Sequence, residues 1–262
     1  MKKQVFKVAL AITASSLFGL GNQAVWADDN SFSLTTGFDY SSGKYGSNET
    51  TDITSIPVIA SYGTNDWLFK LTVPYVTITG PGNVAPGIGK YKNTTNTQRT
   101  TESGLGDIVA GATYSLFKDS ANTTEIDLTG KVKFGTADQN KGLGTGQNDY
   151  STQVDMYKYY GDFTAMGTVG YKIYGDTSAT PLKNVFFGSI GGTYKLAPAT
   201  GVGLVYDYRP AITSTGAKIS EVTAFVNHKI NNDWKAQAYA VKGFSDGSPD
   251  YGVGALISYT FK

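Results

Sequence analysis

The chain contains few residues from which a catalytic or metal-binding site could be built. His228 is its only histidine, so a Ser/His/Asp arrangement or a metal site with several histidines has just one possible anchor. We place His228 on the outward face of a strand close to a short turn, where it is better explained as a solvated residue at an interface. We therefore predict no catalytic, cofactor-binding or metal-ligating residue, and we expect that the protein is not an enzyme.

Other short motifs lead to the same prediction. "GLGTG" (142–146) is not followed by a helix, and "GIGK" (87–90) lacks the upstream glycine and the following Ser or Thr of a phosphate-binding loop. Glu125 and Asp127 could act as an acid and a base, but residues two apart on a strand usually only line a polar surface. A barrel hydrolase that uses His228 or one such carboxylate is therefore the third alternative for the function.

Charged and apolar residues alternate with the two-residue period of a β-strand. Residues 124–135 show this most clearly, because one face is polar and the other is apolar. The polar face consists of Glu125, Asp127, Thr129, Lys131 and Lys133, and the apolar face consists of Ile126, Leu128, Gly130, Val132 and Phe134. The segment is predicted to be a strand with polar surroundings on one side only.

The same period predicts twelve strands after residue 27. Their ranges are 31–41, 52–62, 66–78, 106–117, 124–135, 149–160, 162–174, 184–196, 201–210, 218–230, 233–244 and 251–262. Short connections rich in turn-forming residues, such as "GTND" (63–66), alternate with mostly longer ones, of which 79–105 is the longest. Short turns on one side, longer loops on the other and an even strand number are typical of an outer-membrane barrel.

Composition excludes other classes of protein. Only 16% of the residues are charged, against about 25% in a typical soluble domain. The balance of 22 basic and 21 acidic residues shows no basic excess for binding nucleic acid, and the absence of cysteine excludes disulfides. Three lysines, an apolar stretch over 8–21 and "VWA" (25–27) predict a signal peptide at 1–27, followed by a single barrel domain over 28–262.

A soluble β-sandwich is the main structural alternative, since its strands also alternate. Two observations favour a membrane barrel: most charges in strands lie opposite the apolar face, and large aromatic residues flank the apolar stripes as interfacial girdles would. Reversing 124–135 would expose Lys131 or Lys133 to hydrocarbon, at about 2–4 kcal/mol near the midplane. We therefore predict an all-β fold, a twelve-stranded antiparallel transmembrane barrel in the outer membrane of a Gram-negative bacterium.

Three strands are less regular. In 149–160, strict alternation turns Lys158 outward, so either its side chain snorkels to the interface or a bulge reverses the faces there. For 218–230 we choose Val222, Ala224 and Val226 as outward residues. For 233–244 we choose Trp234, Ala236, Ala238 and Ala240 over a competing face with Tyr239 and Val241.

The inward faces would line a narrow pore with both signs of charge. The predicted pore-lining residues are Asp39, Lys70, Asp107, Glu125, Asp127, Lys131, Lys133, Asp155, Lys172, Lys195, Asp207, Arg209 and Glu221. They either tune the solutes that a polar conduit passes or pair with one another and plug the lumen. We further expect the connection 79–105 to fold over or into the mouth and constrict it.

Two segments resemble a known family. "SGLGDIVAGATYSLF" (103–117) and "FGTADQNKGLGTGQNDY" (134–150) are similar to proteobacterial outer-membrane barrels associated with the meta pathway of phenol degradation. The resemblance extends over most of the chain in layout, but its distinctive motifs span only these residues. It implies a barrel that passes small aromatic or other hydrophobic compounds, and it supplies no catalytic residues.

We therefore predict a channel or transporter that gives small solutes passive passage, with no cofactor. A non-transporting barrel, such as an adhesin, a structural element or a surface receptor, is the second alternative. The expected partners are outer-membrane lipid, a small-molecule solute and, during biogenesis, periplasmic chaperones and the barrel-insertion machinery. No nucleic acid is expected.

Overall fold

The computed structural model describes residues 30–91, 98–119, 121, 123–176, 181–214 and 216–261, and the predicted signal peptide at 1–27 lies outside them. Among these residues there is no helix long and apolar enough to cross a membrane. The strands, numbered in chain order, are β1 (Ser31–Gly43), β2 (Thr51–Gly63), β3 (Trp67–Gly80), β4 (Val84–Ala85), β5 (Gly89–Lys90), β6 (Thr100–Leu105), β7 (Ile108–Lys118), β8 (Thr124–Phe134), β9 (Asp149–Tyr160), β10 (Phe163–Ile173), β11 (Val185–Ala197), β12 (Thr200–Arg209), β13 (Ile219–Lys229), β14 (Trp234–Gly243) and β15 (Tyr251–Phe261).

The large sheet closes on itself through its first and last strands. β1 is antiparallel to β15, from Phe32 opposite Phe261 to Ser42 opposite Tyr251, and it pairs with β2 on its other side. β6 and β7 both pair with β3 and together occupy one position in the barrel. Within the described residues the sheet is therefore a closed antiparallel barrel of twelve strand positions, as predicted. Closure removes the open edges whose unpaired backbone groups lipid could not satisfy.

The fourth barrel strand is longer than the predicted 106–117. Its pairing with β3 begins at Thr100. The prediction that residues 100–105 belong to the connection 79–105 is therefore wrong. A β-bulge between β6 and β7 places one extra residue opposite β3. Because of this bulge, Leu105 and Ile108 lie on the same face of the sheet although they are three residues apart. The strict two-residue alternation is therefore interrupted between β6 and β7.

The outer surface of the barrel is the apolar face predicted for each strand. On β8, Leu128 and Phe134 are exposed, whereas Glu125 and Lys133 on the opposite face are buried. Aromatic pairs lie at both ends of the barrel wall: Trp67 with Tyr114 and Trp234 with Tyr259 near the short turns, and Tyr40 with Tyr251 and Tyr171 with Phe186 near the longer loops. This arrangement is that of two interfacial girdles around an apolar band.

The irregular strands keep the predicted faces. β9 pairs with β8 without a register shift, and Lys158 Nζ donates hydrogen bonds to Thr124 Oγ1 (2.8 Å) and Thr123 Oγ1 (3.2 Å) at the adjacent turn. Lys158 therefore faces outward and reaches the interface, so no bulge reverses the strand. On β13 and β14, Phe225 and Tyr239 are buried inside the barrel, which confirms the chosen outward faces.

Candidate functional site: the bore

The predicted pore-lining residues all alternate with the exposed residues of the outer surface, so they face the interior of the barrel. Seven are buried, namely Asp39, Asp107, Glu125, Lys133, Asp155, Asp207 and Glu221, and six are partly buried, namely Lys70, Asp127, Lys131, Lys172, Lys195 and Arg209. Their role in an open conduit stays a prediction. Several of them lie in three groups within the bore.

The first group is an ion-pair network near the longer loops. Lys133 Nζ lies 2.6 Å from Asp107 Oδ2 and 3.6 Å from Asp149 Oδ2, and Lys172 Nζ lies 3.2 Å from the same atom of Asp149. Lys133 also donates a hydrogen bond to the carbonyl of Gln147 (3.0 Å). Asp149 is absent from the predicted set, although it begins β9 on the same face as Asp155, and extending the alternation to the first residue of the strand would have found it.

The second group lies deeper in the bore, on β8, β9 and β10. Lys131 Nζ donates a hydrogen bond to Gln153 Oε1 (2.9 Å), and Gln153 Nε2 donates to Asp155 Oδ1 (2.9 Å). Thr168 Oγ1 also donates to Asp155 Oδ1, over 2.6 Å. Asp155 thus accepts hydrogen bonds from Gln153 and Thr168, and Gln153 connects it to Lys131.

The third group is acidic and lies on the other side of the bore. Asp207 on β12 and Glu221 on β13 are direct register partners, and both are buried. Asp39 on β1 accepts a hydrogen bond from the hydroxyl of Tyr239. One side of the bore, on β3 and β8 to β10, thus contains lysines. The opposite side, on β1, β12 and β13, is acidic nearer the loops.

A short hairpin formed by β4 and β5 lies inside the mouth of the barrel. Val84 and Ala85 are almost fully buried, and their side chains belong to two different apolar clusters. Val84 packs in a cluster with Tyr45, Ile53, Val76, Ile78, Val109, Ala137 and Leu143, and Ala85 packs in one with Ile88, Tyr174, Leu182, Val185 and Ile212. The connection after β3 therefore enters the mouth, as expected, and apolar contacts hold it against several parts of the wall.

Polar contacts also anchor this hairpin. Arg209 donates hydrogen bonds to the carbonyl of Gly87 (2.8 Å) and to the hydroxyl of Tyr174. The backbone amide of Lys90 donates to the carbonyl of Tyr45 (2.9 Å). Burial raises the pKa of the Tyr45 hydroxyl far above its ordinary value. Arg209, predicted to line the pore, is thus the residue that ties the hairpin to β12.

The deeper bore has an apolar side that the sequence analysis did not single out. One buried cluster, which we call the apolar wall, contains residues of β9, β10 and β12 to β15, namely Tyr157, Met166, Val205, Phe225, Tyr239, Val241 and Leu256. Two glycines make room for its rings, because a Cβ at Gly203 would lie 2.1 Å from Phe225 Cζ and one at Gly254 would lie 2.2 Å from Tyr239 Cζ. The alternation had placed these residues inward, but it does not show that they pack together.

The residues considered for catalysis, His228 and Glu125, lie near the short-turn end of the barrel. His228 is on the outer face near a short turn, as predicted, and its Nδ1 lies 2.9 Å from Thr200 Oγ1. Glu125 accepts a hydrogen bond from Tyr159 at the short-turn end of the bore (3.0 Å). In the part of the chain that the structure describes, no group of three or more His, Cys, Asp or Glu residues could hold a metal ion.

Comparison with solved structures identifies the architecture. The KdgM porin superposes with a TM-score of 0.55 at 11% identity, over 88% of this chain and 99% of that chain. The β domain of the Bordetella autotransporter BrkA gives 0.55 at 11% identity over 89% and 100%, and the translocator domain of NalP from Neisseria meningitidis gives 0.53 at 9% over 89% and 90%. At this identity the similarity concerns the fold, and a porin and autotransporter domains share it. This chain thus has the closed β-barrel fold of these proteins.

Sequence comparison assigns the family. The family model described as "Putative MetA-pathway of phenol degradation" matches residues 30–261. The chain belongs to this family. The match extends from β1 to the last residue of β15, so the resemblance seen in two short segments holds for the whole barrel. No curated protein has a matching sequence.

Proposed function

We propose that the protein is a channel that gives small solutes passive passage across the outer membrane. The observation that carries this proposal is the polar face of β8, which runs from Glu125 at the short-turn end to Lys133 at the loop end. A barrel that served only as a membrane anchor would gain stability from an apolar, well-packed interior, because buried ionised groups are costly. An unbroken polar stripe through the membrane instead provides a path for water and polar solutes.

The hairpin in the mouth limits the size of the solute in this proposal. Twelve strands lie between eight-stranded barrels, whose side chains fill the interior, and porins of sixteen to eighteen strands, which leave a wide aqueous channel. The hairpin occupies part of that intermediate space and leaves a narrow path. Small aromatic or hydrophobic compounds are the candidate solutes, supported by the description of the family and by the apolar wall of the bore.

The proposal includes outer-membrane lipid around the apolar band and, during biogenesis, periplasmic chaperones and the barrel-insertion machinery. It also includes removal of a signal peptide at 1–27, the barrel 28–262 as the only domain, and no enzymatic activity. The thirteen predicted residues are proposed to line the conduit. Asp149 joins them because it bridges Lys133 and Lys172.

Reconstitution tests this function. Purified protein in planar bilayers is expected to show discrete single-channel currents in KCl, and liposomes that contain it are expected to swell in small sugars, acids and aromatic solutes. Heat-denatured protein in the same detergent is the control. A folded barrel without current and without swelling would instead indicate a non-transporting barrel, which is the second candidate because the inserted hairpin packs inside the mouth.

A further inference from the structure

The loop between β8 and β9, residues 135–148, is compact and turns into the mouth of the barrel; we call it the strap. At its base, the backbone amide of Gly135 donates a hydrogen bond to Asn148 Oδ1 (2.9 Å). Gly142 and Gly146 have φ angles of 70° and 67°, a region that glycine adopts without strain. The motif "GLGTG" (142–146) therefore makes the two turns between which Leu143 enters the mouth.

The middle of the strap packs inside the barrel. Leu143 is completely buried, and a Cβ at Gly104 on β6 would lie 3.0 Å from its Cδ1. Leu143 belongs to the same apolar cluster as Val84 of the hairpin and inward-facing residues of β2, β3 and β7, namely Ile53, Val76, Ile78 and Val109. The strap therefore extends from β8 and β9 over the inner faces of these strands to the hairpin.

Asp107 holds the strap in this position. Its Oδ1 accepts a hydrogen bond from the backbone amide of Ala137 (3.0 Å), and its Oδ2 accepts one from Lys133 Nζ (2.6 Å). Lys133 also donates to the carbonyl of Gln147 (3.0 Å), so the ion pair contacts both halves of the strap. The side chains of Lys133 and Asp107 are only 6% and 2% exposed. Removing one partner of such a buried pair leaves the other charge uncompensated.

The strap has no room for a side chain at Gly144. A Cβ at this position would lie 2.7 Å from Ala137 Cβ and 2.9 Å from Asp107 Oδ1. Neither atom can move aside easily, because the side chain of Ala137 is a single methyl group and the carboxylate is fixed by Lys133. A larger residue at position 144 is therefore expected to displace the strap, and it changes no charge in the bore.

We infer that the strap is a second constriction of the conduit and that Asp107 is the positioning residue that keeps it in the mouth. The inference rests on the proposed channel function and names residues that set the size limit for the solute. Asp107 and the strap lie in the two segments that resemble the family, 103–117 and 134–150. Both segments thus contribute to one structure, which packs against the hairpin.

Exclusion of uncharged polymers from single channels tests this constriction. Polyethylene glycols reduce the current only when they are small enough to enter, so the largest mass that still does so measures the width of the path. We expect Gly144→Val to shift this cut-off to larger polymers, because the displaced strap no longer narrows the mouth. Asp107→Ala should do the same and Asp107→Asn less, since asparagine still offers an oxygen to the amide of Ala137.

Gly167→Val is the matched control and should keep the wild-type cut-off. Gly167 is on the outer face of β10, and a Cβ there meets only the carbonyl oxygen of Ser189, at 3.8 Å. A second background separates the strap from the hairpin. In a channel whose residues 83–90 are replaced by Gly and Ser, Gly144→Val should shift the cut-off further.

A wild-type cut-off in folded, conducting Gly144→Val channels, or no further shift in the hairpin-replaced background, would overturn the second constriction and leave the channel function intact. Should Gly144→Val not fold, Asp107→Ala decides by the same criterion. An unchanged cut-off in folded Asp107→Ala would overturn the positioning role of Asp107. Absence of any current from folded wild-type protein would instead overturn the proposed function.

Discussion

At the scale of single residues, glycine decides where large side chains fit inside the barrel. Phe225 and Tyr239 cover the backbone of neighbouring strands at Gly203 and Gly254, and any larger residue there would meet a ring atom. The closest ring atoms are near the far end of each side chain, but both side chains are buried among other members of the apolar wall. They therefore have little room to move aside.

Gly203→Ala is accordingly expected to destabilise the folded barrel by about 1–3 kcal/mol, the usual cost of overpacking a buried site. Gly130→Ala is the matched control, because Gly130 is also within a strand and a Cβ there meets no atom within 4 Å. Urea-induced unfolding in phospholipid vesicles, followed by tryptophan fluorescence, measures both. Equal stabilities for the two variants would show that the apolar wall is loosely packed.

One carboxylate outside the membrane-spanning strands has a shifted pKa. The side chain of Asp119 accepts hydrogen bonds from the hydroxyl and backbone amide of Thr123 (both 2.6 Å), and these lower its pKa. A lowered pKa contributes stability above the unfolded-state value of about 3.9, and this contribution is lost as the pH falls towards the folded-state value. Asp119→Ala should therefore lower the urea midpoint at pH 7 and have less effect at pH 3. If Asp119→Ala lowered the urea midpoint more at pH 3 than at pH 7, a lowered pKa of Asp119 would be contradicted.

At the scale of elements, the two-residue period predicted the orientation of the barrel strands, including the irregular β9, β13 and β14. It succeeded because lipid on one side and a polar bore on the other impose opposite demands on alternate residues. It failed at β6, where a bulge shifts the phase. It could not have predicted the hairpin, because Val84 and Ala85 are buried by residues of distant strands and loops.

The hairpin is the element with the clearest expected effect on transport. Replacing residues 83–90 by eight Gly and Ser residues keeps the chain length but removes the apolar anchors Val84, Ala85 and Ile88. Single-channel conductance in KCl should rise several-fold, because the segment no longer packs inside the mouth. Arg209→Gln should produce a smaller rise, since it removes only the contacts with Gly87 and Tyr174. An unchanged conductance in the replacement variant would show that the hairpin does not constrict the path.

At the scale of the whole molecule, the barrel separates two environments that place opposite requirements on its wall. The apolar side chains are exposed on the outer surface, and the bore contains the ion pairs of Lys133 and Lys172 with their carboxylates. The amino-acid sequence sufficed to predict this partition and most of the charged residues involved. It could not show that Lys70, Gly111 and Lys131 are in one register, because strand pairing depends on the shear of the closed barrel.

The destabilisation caused by a charge on the outer surface should depend on how deep its position lies in the membrane. Leu128 is in the middle of β8 and faces outward, so Leu128→Arg is expected to destabilise the barrel by about 2–4 kcal/mol. Phe134→Arg, at the loop end of the same strand and on the same face, should cost only about 0–1 kcal/mol for its charge. Refolding titrations in phospholipid vesicles measure both values. A larger cost at Phe134 than at Leu128 would place the apolar band elsewhere.

The most direct test of the account is chemical modification of single cysteines during current recording, which is straightforward because the chain has no cysteine. Lys131 and Leu128 are both on β8 and face the bore and the outer surface, respectively, and Lys131 is only partly buried. A charged, water-soluble thiol reagent is predicted to change the single-channel current of Lys131→Cys stepwise and to leave that of Leu128→Cys unchanged. Modification that alters the current of Leu128→Cys but not that of Lys131→Cys would contradict a conduction path through the bore.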